Sequence, residues 1–195
     1  MSGVKRVGVL ALQGDFEAHQ KALERAGAAA VSVRAAADLD SLDGLVIPGG
    51  ESTTMLRIMK DEDLLEPLAA FGRERPVFGT CAGAILLATD VSNPAQESLG
   101  LMDIGIVRNA YGRQLDSRVV RLMPAGEFLQ RMGPGEVETV FIRAPIIRRT
   151  GPATRVHLRY NGDPVLVAQG RHLVATFHPE LTADRRIHRL FVEGL

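Results

Sequence analysis

The chain has 195 residues, of which 46% are hydrophobic and 24% are charged, and this predicts one globular domain over residues 1–195 with little room for a second. Its 23 basic and 23 acidic residues give a formal net charge of +0, so no overall field attracts the chain to nucleic acid or to an anionic membrane. The single cysteine excludes an internal disulfide and a multi-cysteine zinc cluster, and we expect neither a metal nor a cofactor. No apolar run approaches the ~20 residues that span a bilayer. Because residues 1–12 also lack the apolar core of a signal peptide, we expect a cytoplasmic protein.

Apolar runs alternate with helical patterns over the first half of the chain. The predicted strands cover residues 7–12, 31–33 and 44–47, and the predicted helices cover residues 16–26, 51–60 and 63–75. Asp15 is a natural N-cap of the first helix, and Gly27 a natural residue just beyond its end. Strands that are apolar throughout and alternate with helices indicate a parallel sheet covered on both faces. The loops at Gln13, Gly49 and Gly79 should then meet beyond the carboxyl ends of the strands, where such sheets bind ligands.

Residues 76–87, PVFGTCAGAILL, predict a buried strand that turns sharply into a helix. Gly79 and Gly83 flank Cys81 with the spacing of a nucleophile elbow, in which glycines let the backbone crowd together while the central side chain projects above the sheet. The positive end of the helix dipole favours a thiolate there, and N–H groups such as that of Ala82 can stabilise an oxyanion. A lone cysteine in an apolar run is otherwise a small buried hydrophobe. The flanking glycines favour the nucleophile.

The second half of the chain is richer in short β segments. The helix after the elbow is predicted to run to Ala88, before the breakers at residues 90–94. Six further strands are predicted at residues 104–107, 118–123, 137–143, 155–160, 165–169 and 172–177. We expect them to add antiparallel strands to the sheet, with a hairpin turn at residues 161–164. A final helix is predicted over residues 182–193, with Thr182 as its N-cap.

A thiolate nucleophile needs a base, and His178 is the best candidate among the five histidines. It ends a predicted strand, and Glu180 follows two residues later. In extended backbone these two side chains face the same way, so Glu180 can hold one imidazole nitrogen and leave the other for the thiol. The remaining histidines are interpreted as structural or solvated; they are His19, His157, His172 and His188.

The loop after the third strand, residues 48–53, reads PGGEST. It lacks the lysine of a phosphate-binding P-loop. Gly49 and Gly50 allow the backbone to present an N–H to a tetrahedral intermediate, which would complete an oxyanion hole begun by Ala82. As a plain strand-to-helix turn capped by Ser52, the same residues need no function.

Six segments carry a resemblance to a known family. They are LQGD at residues 12–15, PGGESTTM at 48–55, FGTCAGAILLA at 78–88, RNAYGRQLDS at 108–117, FIRAP at 141–145 and FHPELT at 177–182. The chain resembles the class I, or triad, glutamine amidotransferases, and among them the family of glutaminase subunits of pyridoxal 5′-phosphate synthase. The glycine-flanked cysteine with HPE identifies only the superfamily, whereas the PGGEST, RN-x-x-GRQ and IRAP segments together are specific to this branch.

The resemblance implies a fold and a reaction. The fold is a flavodoxin-like α/β domain with a mostly parallel sheet. By the same resemblance, Cys81 attacks the side-chain amide of L-glutamine, His178 shuttles the proton, Glu180 orients His178, and the ammonia passes to a partner synthase (lyase) subunit. The glutamine-binding residues it implies are Gly49, Gly50, Glu51, Ser52, Arg108, Ile142 and Arg143.

Residue chemistry agrees with those roles, because an arginine fork suits the α-carboxylate of glutamine and a carboxylate suits its α-ammonium. Gln13 is similar to a family residue near the site and is expected to couple it to the partner. We further expect the isolated chain to be a poor glutaminase whose oxyanion hole is completed when the synthase binds.

Two other interpretations stay open at this stage. A glutaminase subunit of imidazole glycerol phosphate synthase shares the fold and the triad, but the PGGEST and RNAYGRQ segments resemble that family less well. A non-catalytic regulatory module on the same fold is the second alternative. The presence of Cys81, His178 and Glu180 together argues against such a module, and glutamate release from glutamine discriminates between enzyme and module.

Overall fold

The computed structural model of the chain describes residues 3–109 and 117–195. Residues 110–116, which belong to the RNAYGRQLDS segment, lie outside the described residues. The strands are β1 Arg6–Leu10, β2 Ala29–Val33, β3 Gly44–Ile47, β4 Val77–Thr80, β5 Ala88–Ser92, β6 Met102–Val107, β7 Arg118–Leu122, β8 Val137–Phe141, β9 Ile146–Thr150, β10 Thr154–Tyr160, β11 Asp163–Gln169 and β12 His172–Ala175. The α-helices are α1 Phe16–Arg25, α2 Ser52–Asp61, α3 Leu65–Glu74, α4 Ala82–Leu87, α5 Gly126–Met132 and α6 Arg186–Val192. Two 3-10 helices cover Ala36–Leu39 and Pro179–Leu181.

The central sheet has the strand order β10-β11-β12-β4-β3-β1-β2. The pairs β1 with β2, β1 with β3, β3 with β4, and β4 with β12 are all parallel. Its five parallel strands therefore follow the flavodoxin-like order, with β12 in the fifth place. This confirms the predicted α/β fold with a mostly parallel sheet.

The antiparallel additions lie at one edge of that sheet. β11 pairs antiparallel with β12, and β10 pairs antiparallel with β11. Tyr160 pairs with Asp163, as the predicted hairpin turn requires. The other C-terminal strands do not extend the central sheet as we expected: β5, β6 and β9 form a three-stranded sheet, and β7 and β8 form a two-stranded one.

Both faces of the central sheet are covered, because its strands bury side chains in both directions. Leu45 and Ile47 of β3 face a core formed with α2, α3 and α4. Val46 between them faces the opposite core, with Leu23 of α1 and Leu190 of α6. The result is the three-layer arrangement that continuous apolar strands predict. In the described ranges, no helix has both the length and the apolar character needed to cross a membrane.

Two predicted helix boundaries are wrong, for local reasons, and one predicted N-cap is correct in position only. α4 stops at Leu87, and Ala88 already belongs to β5, because β5 pairs with β6 along the chain that follows. The final helix begins at Arg186, and Thr182 closes the 3-10 turn by donating its Oγ1–H to the carbonyl of Pro179. Asp15 is the N-cap of α1, but its side chain makes no capping hydrogen bond. β5, β9 and α5 were not predicted. That 1–195 is a single domain stays a prediction.

Candidate active site

The carboxyl ends of four neighbouring parallel strands, β12, β4, β3 and β1, lie at one edge of the sheet. Gln13 lies in the loop after β1, the glycine loop (residues 48–51) follows β3, Cys81 follows β4, and His178 lies beyond β12. The predicted convergence of the Gln13, Gly49 and Gly79 loops is therefore confirmed. Parallel topology brings them together because every strand of the set ends on the same side.

Cys81 occupies a sharp elbow between β4 and α4. Its backbone has φ 49° and ψ −105°, a conformation that non-glycine residues rarely adopt. A Cβ on Gly83 would lie 2.0 Å from the carbonyl oxygen of Ile47, and a Cβ on Gly79 would lie 2.5 Å from that of Gly83. Glycine is thus required on both sides of the cysteine by close backbone approach. The N–H of Ala82, at the first position of α4, has no acceptor within its own helix.

His178 and Glu180 form a buried pair next to the cysteine. Nδ1 of His178 lies 2.7 Å from Oε1 of Glu180, and the two residues are 8% and 5% exposed. We expected extended backbone between them; the structure has a 3-10 turn, Pro179–Leu181, that still brings the side chains together. Burial alone would lower the pKa of His178, but hydrogen bonds to Cys81 and Glu180 and their negative charges raise that pKa to about 10. The ring is therefore an imidazolium at neutral pH.

Backbone hydrogen bonds hold the cysteine and histidine loops to neighbouring strands. The N–H of Cys81 donates to the carbonyl of Ala175 at 2.8 Å, which joins the elbow to the end of β12. The N–H of His178 donates to the carbonyl of Val140 at 2.8 Å, which joins its loop to β8. Both side chains thus extend from backbone that is hydrogen-bonded to the surrounding sheets.

The glycine loop passes close to both residues. A Cβ on Gly49 would lie 2.6 Å from Cε1 of His178 and 3.3 Å from Cβ of Cys81, so a side chain there would displace the pair. Oε1 of Gln13 accepts a hydrogen bond from the N–H of Glu51 at 2.9 Å. Gln13 is consequently attached to the glycine loop.

Glu51 is the N-cap of α2, whereas the sequence suggested Ser52 for a plain turn. Its carboxylate accepts hydrogen bonds from the N–H groups of Thr53 and Thr54 at 3.1 and 2.7 Å. Burial would raise the pKa of Glu51, but the hydrogen bonds from Thr54 and Thr53 lower it to about 2. Arg108 donates to Oγ1 of Thr53 at 2.6 Å and lies 3.4 Å from Oε1 of Glu51. A fixed anion and a fixed cation thus stand side by side.

A cleft of about 290 Å³ joins these groups. Its lining includes most of the residues predicted from the sequence, namely Gly49, Gly50, Glu51, Ser52, Cys81, Ala82, Arg108, Ile142, Arg143 and His178. Glu180 lies behind His178, and Gln13 reaches the cleft through Glu51. The carbonyl oxygen of Ile142 lies 3.9 Å from Sγ of Cys81, and Arg143 has φ 45°. Asp15, Ile85, Asn109 and Pro145 also line the cleft and were not predicted.

Sequence reasoning missed a polar group behind the triad. His19 is fully buried and lies 3.2 Å through Nε2 from Oε2 of Glu180, and His188, also fully buried, lies beside His19. A weak signal existed. His19 lies on the inward face of α1 with Ala22 and Leu23, at helical spacing. This pattern excludes a solvated position for His19, but it does not indicate Glu180 as the partner.

The comparisons with known proteins agree with this geometry. The chain matches the model of the SNO glutamine amidotransferase family over residues 9–195. It is 61% identical over 192 residues to "Pyridoxal 5'-phosphate synthase subunit PdxT" of Solibacter usitatus, covering 98% of this chain and 100% of the relative. A relative of the same name from Koribacter versatilis is 50% identical over 188 residues, covering 96% and 94%.

Solved structures give the same result. One described as "Crystal structure of glutamine amidotransferase" has a TM-score of 0.87 and 43% sequence identity, covering 96% of this chain and 97% of its own. The structure of PurLQS from Thermotoga maritima has a TM-score of 0.73 at 17% identity, covering 98% and 99%, which is a likeness of fold alone. The family model and the relatives together show that this chain belongs to the SNO glutamine amidotransferase family.

Proposed function

We propose that this chain is the glutaminase subunit of a pyridoxal 5′-phosphate synthase. It hydrolyses L-glutamine to L-glutamate and ammonia, and it delivers the ammonia to the synthase (lyase) subunit for vitamin B6 biosynthesis. The observation that carries the proposal is a cysteine at a strained elbow, in the same cleft as His178, whose Nδ1 lies 2.7 Å from the Glu180 carboxylate. The family membership and the PdxT relatives support the partner. The proposal includes a cytoplasmic location, where a lone cysteine stays reduced.

The cleft suits glutamine in size and charge. Its volume of about 290 Å³ corresponds to about ten water molecules of liquid, which is enough for a small amino acid. Arg108 and Arg143 serve the α-carboxylate, because a guanidinium presents a planar fork of donors. Glu51 serves the α-ammonium, since its hydrogen bonds keep it ionised.

The first half-reaction forms a thioester. The Cys81 thiolate attacks the side-chain carbonyl carbon of glutamine, and the negative charge moves to the carbonyl oxygen. Ala82 N–H and an N–H of the Gly49–Gly50 loop stabilise that oxyanion. The His178 imidazolium gives its proton to the amide nitrogen, the carbon–nitrogen bond breaks, and ammonia leaves.

The second half-reaction hydrolyses the thioester. Neutral His178 takes one proton from water as the water oxygen attacks the thioester carbon. Collapse of the intermediate expels the Cys81 thiolate and leaves the γ-carboxylic acid, which loses its proton to solvent as glutamate. His178 is again an imidazolium, so the site returns to its starting state. Glu180 keeps the ring in the tautomer and orientation that both proton transfers need.

The nitrogen source provides the test. Wild-type chain and a Cys81→Ala variant are each assembled with the cognate synthase, and pyridoxal 5′-phosphate formation is measured with glutamine and, separately, with an ammonium salt. The wild-type complex should use both sources, whereas the variant complex should use only the ammonium salt. Substantial glutamine-dependent activity in the Cys81→Ala complex would overturn the proposal.

A further inference from the structure

A buried polar chain extends behind the triad, away from the cleft. Nε2 of His19, on α1, lies 3.2 Å from Oε2 of Glu180 and 3.1 Å from Oγ1 of Thr80. Nδ1 of His19 lies 3.0 Å from Nε2 of His188, on α6. His19 and His188 are 0% exposed, so no water replaces these contacts.

The far oxygen of Glu180 needs a donor. Oε1 is held by His178 at 2.7 Å, but Oε2 has no hydrogen-bond partner within residues 3–109 and 117–195. A buried carboxylate oxygen without compensation is costly. Nε2 of His19 lies 3.2 Å from that oxygen, and this contact stabilises the carboxylate charge only if Nε2 carries a proton.

The proton arrangement follows from burial. Complete burial, followed by electrostatic repulsion that protonation would create with His188 and His178, lowers the pKa of His19 well below its ordinary value. Burial and the charge of Arg25 lower the pKa of His188 to about 4. Each ring is therefore neutral and carries one N–H.

Two arrangements of those protons satisfy the contact between the rings. In one, His188 donates Nε2–H to Nδ1 of His19, and the His19 proton on Nε2 faces Glu180 and Thr80. In the other, His19 donates from Nδ1, and its bare Nε2 lone pair faces the carboxylate. The first is favoured, because a donor facing a buried anion stabilises it whereas a lone pair repels it.

We propose that His19 is a positioning residue of the triad: its Nε2–H holds Oε2 of Glu180, so that Oε1 stays on Nδ1 of His178. His188 acts one step further out by fixing the tautomer of His19. The role rests on the proposed glutaminase function, since it serves the orientation of His178 during proton transfer. Without this donor, the Glu180 carboxylate is free to rotate away from the imidazole or to take up a proton.

A purely structural role is the competing explanation. His19 also packs edge-on against Phe78, with ring centroids 6.4 Å apart, so any change there disturbs packing. Two substitutions separate the roles. The side-chain amide of Gln reaches the place of Nε2, and that of Asn reaches the place of Nδ1. His19→Gln therefore retains the donor to Glu180, whereas His19→Asn retains only the link to His188.

The first experiment compares His19→Gln and His19→Asn, each assembled with the synthase, by kcat and KM for glutamate release. His19→Asn should lose roughly tenfold to a hundredfold in kcat with KM within about twofold, the effect expected for a hydrogen bond to a charged group. His19→Gln should recover most of that loss. His157→Asn, a buried histidine packed on Phe128, is the matched control and should retain wild-type kcat. Equal kcat in the two His19 variants would overturn the proposal.

The second experiment requires neither activity nor a stable variant. Ring ¹⁵N and low-field ¹H resonances of the wild-type chain report which nitrogen of His19 is protonated. We expect the proton of His19 on Nε2 and a low-field His178 Nδ1–H signal. A proton on Nδ1 of His19 would overturn the proposal. Failure of the wild-type complex to release glutamate would instead contradict the proposed function. The tautomer of His19 that the resonances report would be unaffected by that result.

Discussion

Nδ1 of His178 lies 2.7 Å from Oε1 of Glu180, across a 3-10 turn and not along an extended strand. The turn points Pro179 into the core, where it is buried. Glu180 therefore lies behind the imidazole of His178 and does not line the cleft. The acid is thus placed to orient the ring while the opposite ring nitrogen is left for Cys81.

This arrangement predicts unequal losses when each partner is removed. In the proposed mechanism His178 moves the proton in both half-reactions, whereas Glu180 orients and stabilises it. His178→Ala should lower kcat by roughly 10⁴-fold or more, and Glu180→Ala by roughly tenfold to a hundredfold less than that, as in serine-protease triads. Steady-state glutamate release with the synthase present gives both values. Wild-type turnover in both variants would mean that the base lies elsewhere.

The raised pKa of His178 predicts a titration shift in a cysteine variant. Burial lowers this pKa, and the hydrogen bond and charge of Cys81 together with those of Glu180 raise it to about 10. In Cys81→Ala the cysteine contributions are lost while burial and the Glu180 contributions remain, so the pKa of His178 should fall below its wild-type value of about 10. An NMR titration of the His178 ring in both proteins measures the shift. An unchanged midpoint near pH 10 in the variant would contradict the proposed pairing.

Gly83 should tolerate no side chain. Its Cβ would lie 2.0 Å from the carbonyl oxygen of Ile47, and backbone cannot move aside as a flexible side chain does. We expect Gly83→Ala to destabilise the chain by about 3 kcal/mol or more, measured by urea unfolding. Gly3→Ala, where nothing lies within 4 Å, is the control and should unfold as the wild type does. Equal stabilities would show that the elbow is less closely packed than described.

Gln13 should couple the glycine loop to the synthase. Its side chain accepts the Glu51 N–H at 2.9 Å, so a partner that contacts Gln13 can bias the adjacent Gly49–Gly50 peptide toward the oxyanion-binding orientation. One missing oxyanion donor costs about 10² to 10³ in rate, and we expect synthase to stimulate glutamate release on that scale.

Gln13→Ala should reduce that stimulation. Gln20→Ala, which removes a hydrogen bond from α1 to Ser32 of β2, serves as the control and should leave the stimulation intact. Glutamate release is measured at saturating glutamine with and without synthase. Full activity of the isolated wild-type chain, unchanged on adding a synthase shown to bind, would defeat the idea.

Much of the site could be predicted from the sequence, because its parts are short-range. The glycines around Cys81 and the two-residue spacing of His178 and Glu180 are local patterns, and each requires only a few neighbouring residues to form. Continuous apolar strands such as β3 likewise predict a sheet covered on both faces, since nothing else buries every side chain. The parallel order then brings the strand ends together.

Tertiary structure decided the contacts between residues distant in the chain. His19 meets Glu180, and Arg108 meets Glu51, only because α1 and the chain after β6 pack against the strand ends. The same holds for β5, whose pairing with β6 ends α4 at Leu87. The burial of a side chain depends on which elements pack over it. A single sequence shows how apolar residues are spaced, but not which elements pack against them. The sequence by itself therefore determined the sheet and indicated the proposed nucleophile and base, while the packing of α1 and α6 decided which side chains lie behind them.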